Sequence, residues 1–110
     1  MPGYAIAHLN NIDFNADIVE YLERIDATFT PFGGRFLVHG PGQTVMEGPA
    51  DSNFVVVEFP TRQAAQDWYN SPAYQAILPL RTANSTGSAV IAEGCGADHI
   101  ATDILKELQS

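Results

Sequence analysis

Basic side chains are scarce in this chain: five lysines and arginines stand against thirteen acidic residues among 110, a formal charge of −8. Such a surface repels phosphate backbones and anionic lipid at long range, so neither nucleic acid nor membrane is the expected partner. Long apolar runs are missing as well. The longest, such as Phe54-Val-Val-Val57, have the length of a strand and fall far short of the ~20 residues that cross a bilayer. A lone cysteine, Cys95, excludes an internal disulfide framework, and Met1-Pro2-Gly3-Tyr4 has neither the basic region nor the apolar stretch of an export signal. The expected location is the cytoplasm. Also absent are HExxH, a phosphate-cradling glycine loop and a GxSxG elbow. No metal and no cofactor is expected.

What is present is enough for one core: 45% of the residues are apolar and 16% charged, in a chain with room for a single domain. Tyr4 to Leu9 reads as a first strand. Phe14, Ile18, Leu22, Ile25 and Phe29 then recur at steps of three and four, one face of a helix capped by Asp13 or Asn15. Asp17 suits the positive end of that helix, and Glu20 and Arg24 form an i,i+4 pair. Pro31 and Gly33-Gly34 end it. Arg35 to His39 is a second strand, Thr44 to Glu47 a short pairing segment, and Phe54 to Phe59 a third strand whose unbroken valines suit a central place.

Thr61 caps a second helical region with Ala64, Ala65 and Trp68 inward. Ser71-Pro72 restarts it, with Tyr74, Ile77 and Leu78 on the buried side, and Pro79 predicts a kink or break. Ser88 to Glu93 is the fourth strand. The order βαββαβ predicts a ferredoxin-like α+β fold: a four-stranded antiparallel sheet with both helices on one face. Residues 1–94 make this domain. Residues 95–110 form an extension with Ile100, Ile104, Leu105 and Leu108 at helical spacing, capped by Asp98.

Every strand carries apolar residues on both faces, yet the helices cover only one. The other face needs a cover, either a second copy stacked sheet to sheet or the C-terminal helix folded back; the area favours a homodimer.

Ionisable groups sit near the strand ends. Alternation places His8 with Tyr4 and Ile6, His39 with Arg35 and Leu37, Glu58 with Phe54 and Val56, and Glu93 with Ala89 and Ile91. If these are one face, the side away from the helices, the histidines cluster at one end and the glutamates at the other. His39 is the candidate general base, since imidazole titrates near neutral pH, with Glu58 or Glu93 orienting a partner. Arg81 is the candidate anchor for an acidic group. Tyr4, His8, Arg35, Trp68, Tyr69 and Tyr74 are candidate pocket walls. The competing readings are structural: histidines merely hydrogen-bonded, Glu58 and Glu93 held by Arg35 or Arg81 to fix register, and aromatics as core. Cys95 has no basic neighbour in sequence to activate it.

Tyr4-Ala-Ile-Ala, Phe32-Gly-Gly-Arg-Phe-Leu-Val-His-Gly, Glu47-Gly48, Val55-Val-Val-Glu-Phe-Pro60, Trp68-Tyr-Asn-Ser-Pro-Ala-Tyr-Gln75, Arg81 and Glu93-Gly94 follow one another in an order that resembles the DUF1330 family, from about residue 4 to 94. The resemblance implies a dimeric α+β barrel and carries no settled activity. His39 stands where many members have arginine or another residue, and Cys95 to Ser110 extends past the usual end. Three functions compete: a cofactor-independent enzyme or binding protein for a small, partly apolar metabolite; a non-catalytic ligand carrier or stress-linked binding module; and a purely structural assembly unit.

Overall fold

The computed structural model describes residues 1–109, with side chains through Lys106. In chain order the elements are β1 (Gly3–Asn10), α1 (Ala16–Phe29), a 3-10 turn (Thr30–Phe32), β2 (Arg35–Val38), β3 (Asn53–Phe59), α2 (Arg62–Tyr69), α3 (Pro72–Thr82), β4 (Thr86–Glu93) and α4 (Asp103–Gln109). The strands form one sheet in the order β2-β3-β1-β4, and every neighbouring pair is antiparallel. The two central strands are β3 and β1, and β1 runs with β2 against β3 and β4. This is the expected ferredoxin-like α+β architecture.

Local chemistry explains the helix starts. The Asn15 side chain accepts from the Ile18 backbone N–H, Thr61 from Ala64 and Ser71 from Tyr74, each filling an orphan donor of a first turn. Gly33, in the left-handed region at φ 77°, turns the chain from the 3-10 segment into β2. Gly3 has a different reason: a Cβ there would lie 2.4 Å from the Thr61 carbonyl oxygen, so its absence lets β1 press against the start of α2.

The core lies between the helices and one sheet face. Tyr21, Ile25 and Phe29 of α1, Val57 and Phe59 of β3, Ala65 and Trp68 of α2, and Tyr74 and Ile77 of α3 are all buried. Trp68 spends its indole N–H on the Thr28 hydroxyl at 3.0 Å, so this large ring enters the core without an unpaired donor.

Several expectations need correction. Thr44 to Glu47 forms no strand; instead the Gln43 side chain imitates a pairing strand, donating to the Phe54 carbonyl and accepting from the Phe54 N–H, both at 2.8 Å. No break falls at Pro79, and α3 continues to Thr82. The carbonyls beyond the lost bond are satisfied: Pro79 accepts from the Ala83 N–H and Leu80 from the Asn84 amide. Phe14 falls ahead of α1 and is exposed, as is Leu22 on it, and Tyr21 takes the inward place. The C-terminal helix starts at Asp103, later than expected, with the Asp103 carboxylate, not Asp98, accepting from the Ile100 N–H at 3.2 Å. Ile100, Ile104 and Leu105 remain exposed, so α4 does not fold back over the chain's own sheet. Leu108 of the expected stripe lies outside the described side chains.

Candidate functional site

The register separates the sheet faces cleanly. The rows Tyr4–Glu58–Arg35, Ile6–Val56–Val38 and His8–Phe54 point away from the helices, with Ser88, Val90 and Ala92 of β4 beside them. Ala5, Val55, Val57 and Ile91 point toward the helices.

β2 breaks the simple alternation. Phe36 faces Val57 and Val38 faces Val56, so two steps along β2 match one along β3, and Leu37 is the extra residue of a bulge. A slip of one residue reverses every later side chain. His39 is thereby moved off the face of Arg35 and onto the helix side, where its ring stacks on Phe36 with centroids 4.2 Å apart. The four ionisable groups expected on one face are divided. His8 and Glu58 occupy the open face, while His39 and Glu93 belong to the other.

Between the sheet and the helices lies a cavity of about 770 Å³. Its walls are mainly apolar and aromatic, with Ile18 and Ile25 of α1, Val55 and Val57 of β3, and Phe36, Trp68 and Tyr69. Phe14 and Leu22, both exposed, mark where it meets solvent. Of the residues singled out in the sequence, His39, Trp68, Tyr69, Tyr74 and Arg81 line it.

Tyr4, His8, Arg35, Glu58 and Glu93 do not line it. Arg35 holds Glu58 across the β2–β3 pair at 2.8 and 3.1 Å, a register-fixing ion pair. Desolvation and then the Glu58 carboxylate raise the Tyr4 phenol above its ordinary value. His8 stacks on Phe54 with centroids 4.6 Å apart and meets the Ser52 hydroxyl through Nε2 at 3.1 Å. Glu93 is exposed at the end of β4, opposite Gly3. Cys95 is exposed. Among the described residues, no three histidine, cysteine or carboxylate side chains converge as a metal would need.

The polar corner of the cavity is built by α1 and α3. Tyr74 and Arg81 are seven residues apart, two turns of α3, and so share a face. Tyr21 reaches across from α1, and its hydroxyl lies 2.8 Å from that of Tyr74. Asn84 fastens the two helices at this end: its side-chain oxygen accepts from the Asn15 amide at 2.6 Å, and its carbonyl accepts from the Asp13 N–H at 2.8 Å. Burial, reinforced by Tyr74, pushes the Tyr21 phenol far above its ordinary range. Burial by itself would lower the half-buried Arg81 guanidinium, but the Tyr74 and Tyr21 oxygens beside it outweigh that and leave it raised. No carboxylate pairs with Arg81 among the described residues. Asp51 also lines the cavity; the Asn11 backbone N–H, donating at 2.7 Å, is the chief cause holding its carboxyl below the usual value, and the Asn10 amide adds a second bond.

Tyr21 went unread in the sequence, although a signal existed. It stands three residues after Ile18 and four before Ile25, on the buried stripe, and a buried tyrosine needs a partner for its hydroxyl. That the partner is Tyr74, 53 positions away, has no local signature.

Solved structures resemble this fold, among them the following three. RPA0582 of Rhodopseudomonas palustris, a protein of unknown function, aligns with a TM-score of 0.63 at 16% identity over 87% of this chain and 84% of its own. Rv0793 of Mycobacterium tuberculosis gives 0.54 at 15% over 92% and 100%. SnoaB of Streptomyces nogalater, a cofactor-independent oxygenase, gives 0.57 at 13% over 88% and 95%. At these identities the likeness establishes the α+β fold alone. No curated protein matches the chain. The profile of the domain of unknown function DUF1330 matches residues 2–95, which takes in the whole sheet-and-helix unit from β1 to β4, and the chain belongs to that family.

Proposed function

We propose that this DUF1330 protein is a cytoplasmic homodimer that binds a small, partly apolar metabolite in the cavity between the sheet and the α1–α3 pair. The observation that carries the reading is the cavity itself. About 770 Å³ falls within the range of ordinary ligand sites, and its walls are mainly apolar with Tyr21, Tyr74 and Arg81 grouped at one corner. The open face supports the dimer: Val38, Phe54 and Val90 are exposed there at 40%, 45% and 55%, a patch a second copy would cover. The extension from residue 95, with its exposed Ile100, Ile104 and Leu105, is a second surface available to that partner.

Catalysis is a second reading, favoured by one observation: the bulge at Leu37 delivers the His39 imidazole to the cavity wall. A base there would take a proton from a bound substrate, as the likeness in fold to a cofactor-independent oxygenase allows. Glu58, tied to Arg35 on the open face, takes no part in this reading, nor does Glu93. A His39→Gln variant that binds ligand but no longer turns it over would separate enzyme from carrier.

Native mass spectrometry of gently purified protein tests the main reading. The expected result is a dimer carrying a discrete extra mass, lost in Leu22→Trp, where a larger ring blocks the cavity mouth. A monomer would sink the dimer, and an extra mass that survives Leu22→Trp would sink the cavity as its location.

A further inference from the structure

The hydrogen-bond inventory of the polar corner is lopsided. Arginine offers N–H donors and no acceptor, and a phenol offers one O–H. In the Tyr21–Tyr74 pair one hydroxyl donates to the other, which leaves the second proton seeking an acceptor. Arg81 supplies further donors and a positive charge that no described carboxylate neutralises. The cavity's carboxylate, Asp51, is already engaged with Asn10 and Asn11. The corner is therefore short of acceptors and of negative charge.

Its surroundings are of the opposite character. Trp68 and Tyr74 have centroids 4.2 Å apart, Tyr69 and Tyr74 5.5 Å, and Phe36 lies under the His39 ring. Flat π-faces and aliphatic side chains make up most of the rest of the wall. A wholly apolar ligand would leave the donors of the corner unpaired, and a small hydrophilic anion would leave the aromatic wall uncovered; each carries a cost.

Resting on the cavity reading, we infer that the ligand is a ring-bearing organic anion, an aromatic or alicyclic carboxylate, bound with its acid group against Arg81 and the Tyr21–Tyr74 hydroxyls and its ring along Trp68 and Tyr69. Tyr21 and Tyr74 are then specificity-determining residues: both are buried, so their positions are set before the ligand arrives, and the raised phenol of Tyr21 stays a donor throughout the physiological range.

Calorimetric titration with 2-naphthoate and its neutral isostere 2-naphthamide tests this. Wild-type protein should bind the carboxylate at least about tenfold more tightly, the scale of one charge-assisted hydrogen bond. Arg81→Met should bring the two affinities together by weakening only the carboxylate, and Tyr21→Phe or Tyr74→Phe should each reduce the ratio a few-fold while the amide is unaffected. Equal wild-type affinities, with both ligands displaced by Leu22→Trp, would overturn the acid-group inference and leave the cavity reading standing. Binding of neither would overturn both. The wild-type ratio needs no variant, so it decides the matter even where Arg81→Met fails to fold.

Discussion

The two faces of the sheet are built from the same alternating strands and meet different fates. On the helix side Val57 and Phe59 are 2% and 1% exposed, under a layer the chain supplies itself. On the other side Phe54 and Val90, one position out of phase on their strands, are 45% and 55% exposed. Composition does not separate them, because valine and phenylalanine stand on both. Topology does: two helical crossovers on one side leave the other bare. Burial on the helix side stabilises each chain at any concentration, whereas burial on the open side requires a second molecule and follows mass action. The cavity belongs to the first kind of surface, so its shape is set within one chain.

Truncation of the two phenylalanines of β3 breaks this comparison most directly. Phe59→Ala should cost about 3–5 kcal/mol, the usual penalty for emptying a large aromatic site that cannot collapse, read as a shift in the urea midpoint at every protein concentration. Phe54→Asp should barely move the midpoint of dilute protein while raising the dissociation constant of the proposed dimer by about a hundredfold or more, the scale of a lost interface anchor. Sedimentation velocity across a concentration series would decide it. A dimer indifferent to aspartate at Phe54 would place the interface elsewhere.

How far the sequence discloses this division depends on the range of the signal. Asn15, Thr61 and Ser71-Pro72 act on backbone groups within three residues, and each caps the helix expected of it. Glu20 and Arg24 likewise pair at 2.7 Å, one turn apart. The strand order follows from hydrophobic period and crossover topology. The bulge at Leu37 belongs to the pairing of β2 with β3, and nothing within Arg35–His39 announces it; yet it decides on which face His39 emerges. Pro79 misleads for the opposite reason: the local rule is sound, but Ile77, wholly buried, and partly buried Leu80 hold the helix together from either side. The cavity corner is the extreme case, since Tyr21, Tyr74 and Arg81 meet only when α1 packs on α3.

Tyr21 sharpens the comparison from the helix side. Because the folded state raises its phenol above the value near 10 of an unfolded chain, its contribution is complete below about pH 10 and is lost as pH rises from there toward the folded value. The unfolded chain releases the proton first, so alkali favours unfolding. Tyr21→Phe should cost about 1 kcal/mol at pH 8, the worth of a buried hydrogen bond, and should lose stability less steeply than wild type between pH 9 and 11. Parallel slopes in urea titrations at those values would show that the hydroxyl is not sealed in the core.

The smallest effect is expected where the open face meets the sheet edge. Glu58 and Arg35 look like a strong pair, with two hydrogen bonds to one carboxylate oxygen, but their side chains are 24% and 69% exposed. β2 is an edge strand, so water reaches the guanidinium from beyond the sheet. A pair so placed contributes under about 1 kcal/mol, and salt screens it. Glu58→Gln should accordingly shift the urea midpoint slightly, by an amount that fades in high salt and stays the same in dilute and concentrated protein. That last condition gives the measurement its use. If a second copy reached as far as β2, it would strip the pair of water, and removing one partner would strand a buried charge at far greater cost. A penalty growing with protein concentration would therefore extend the proposed interface to the edge strand, whereas a constant one would keep it off β2.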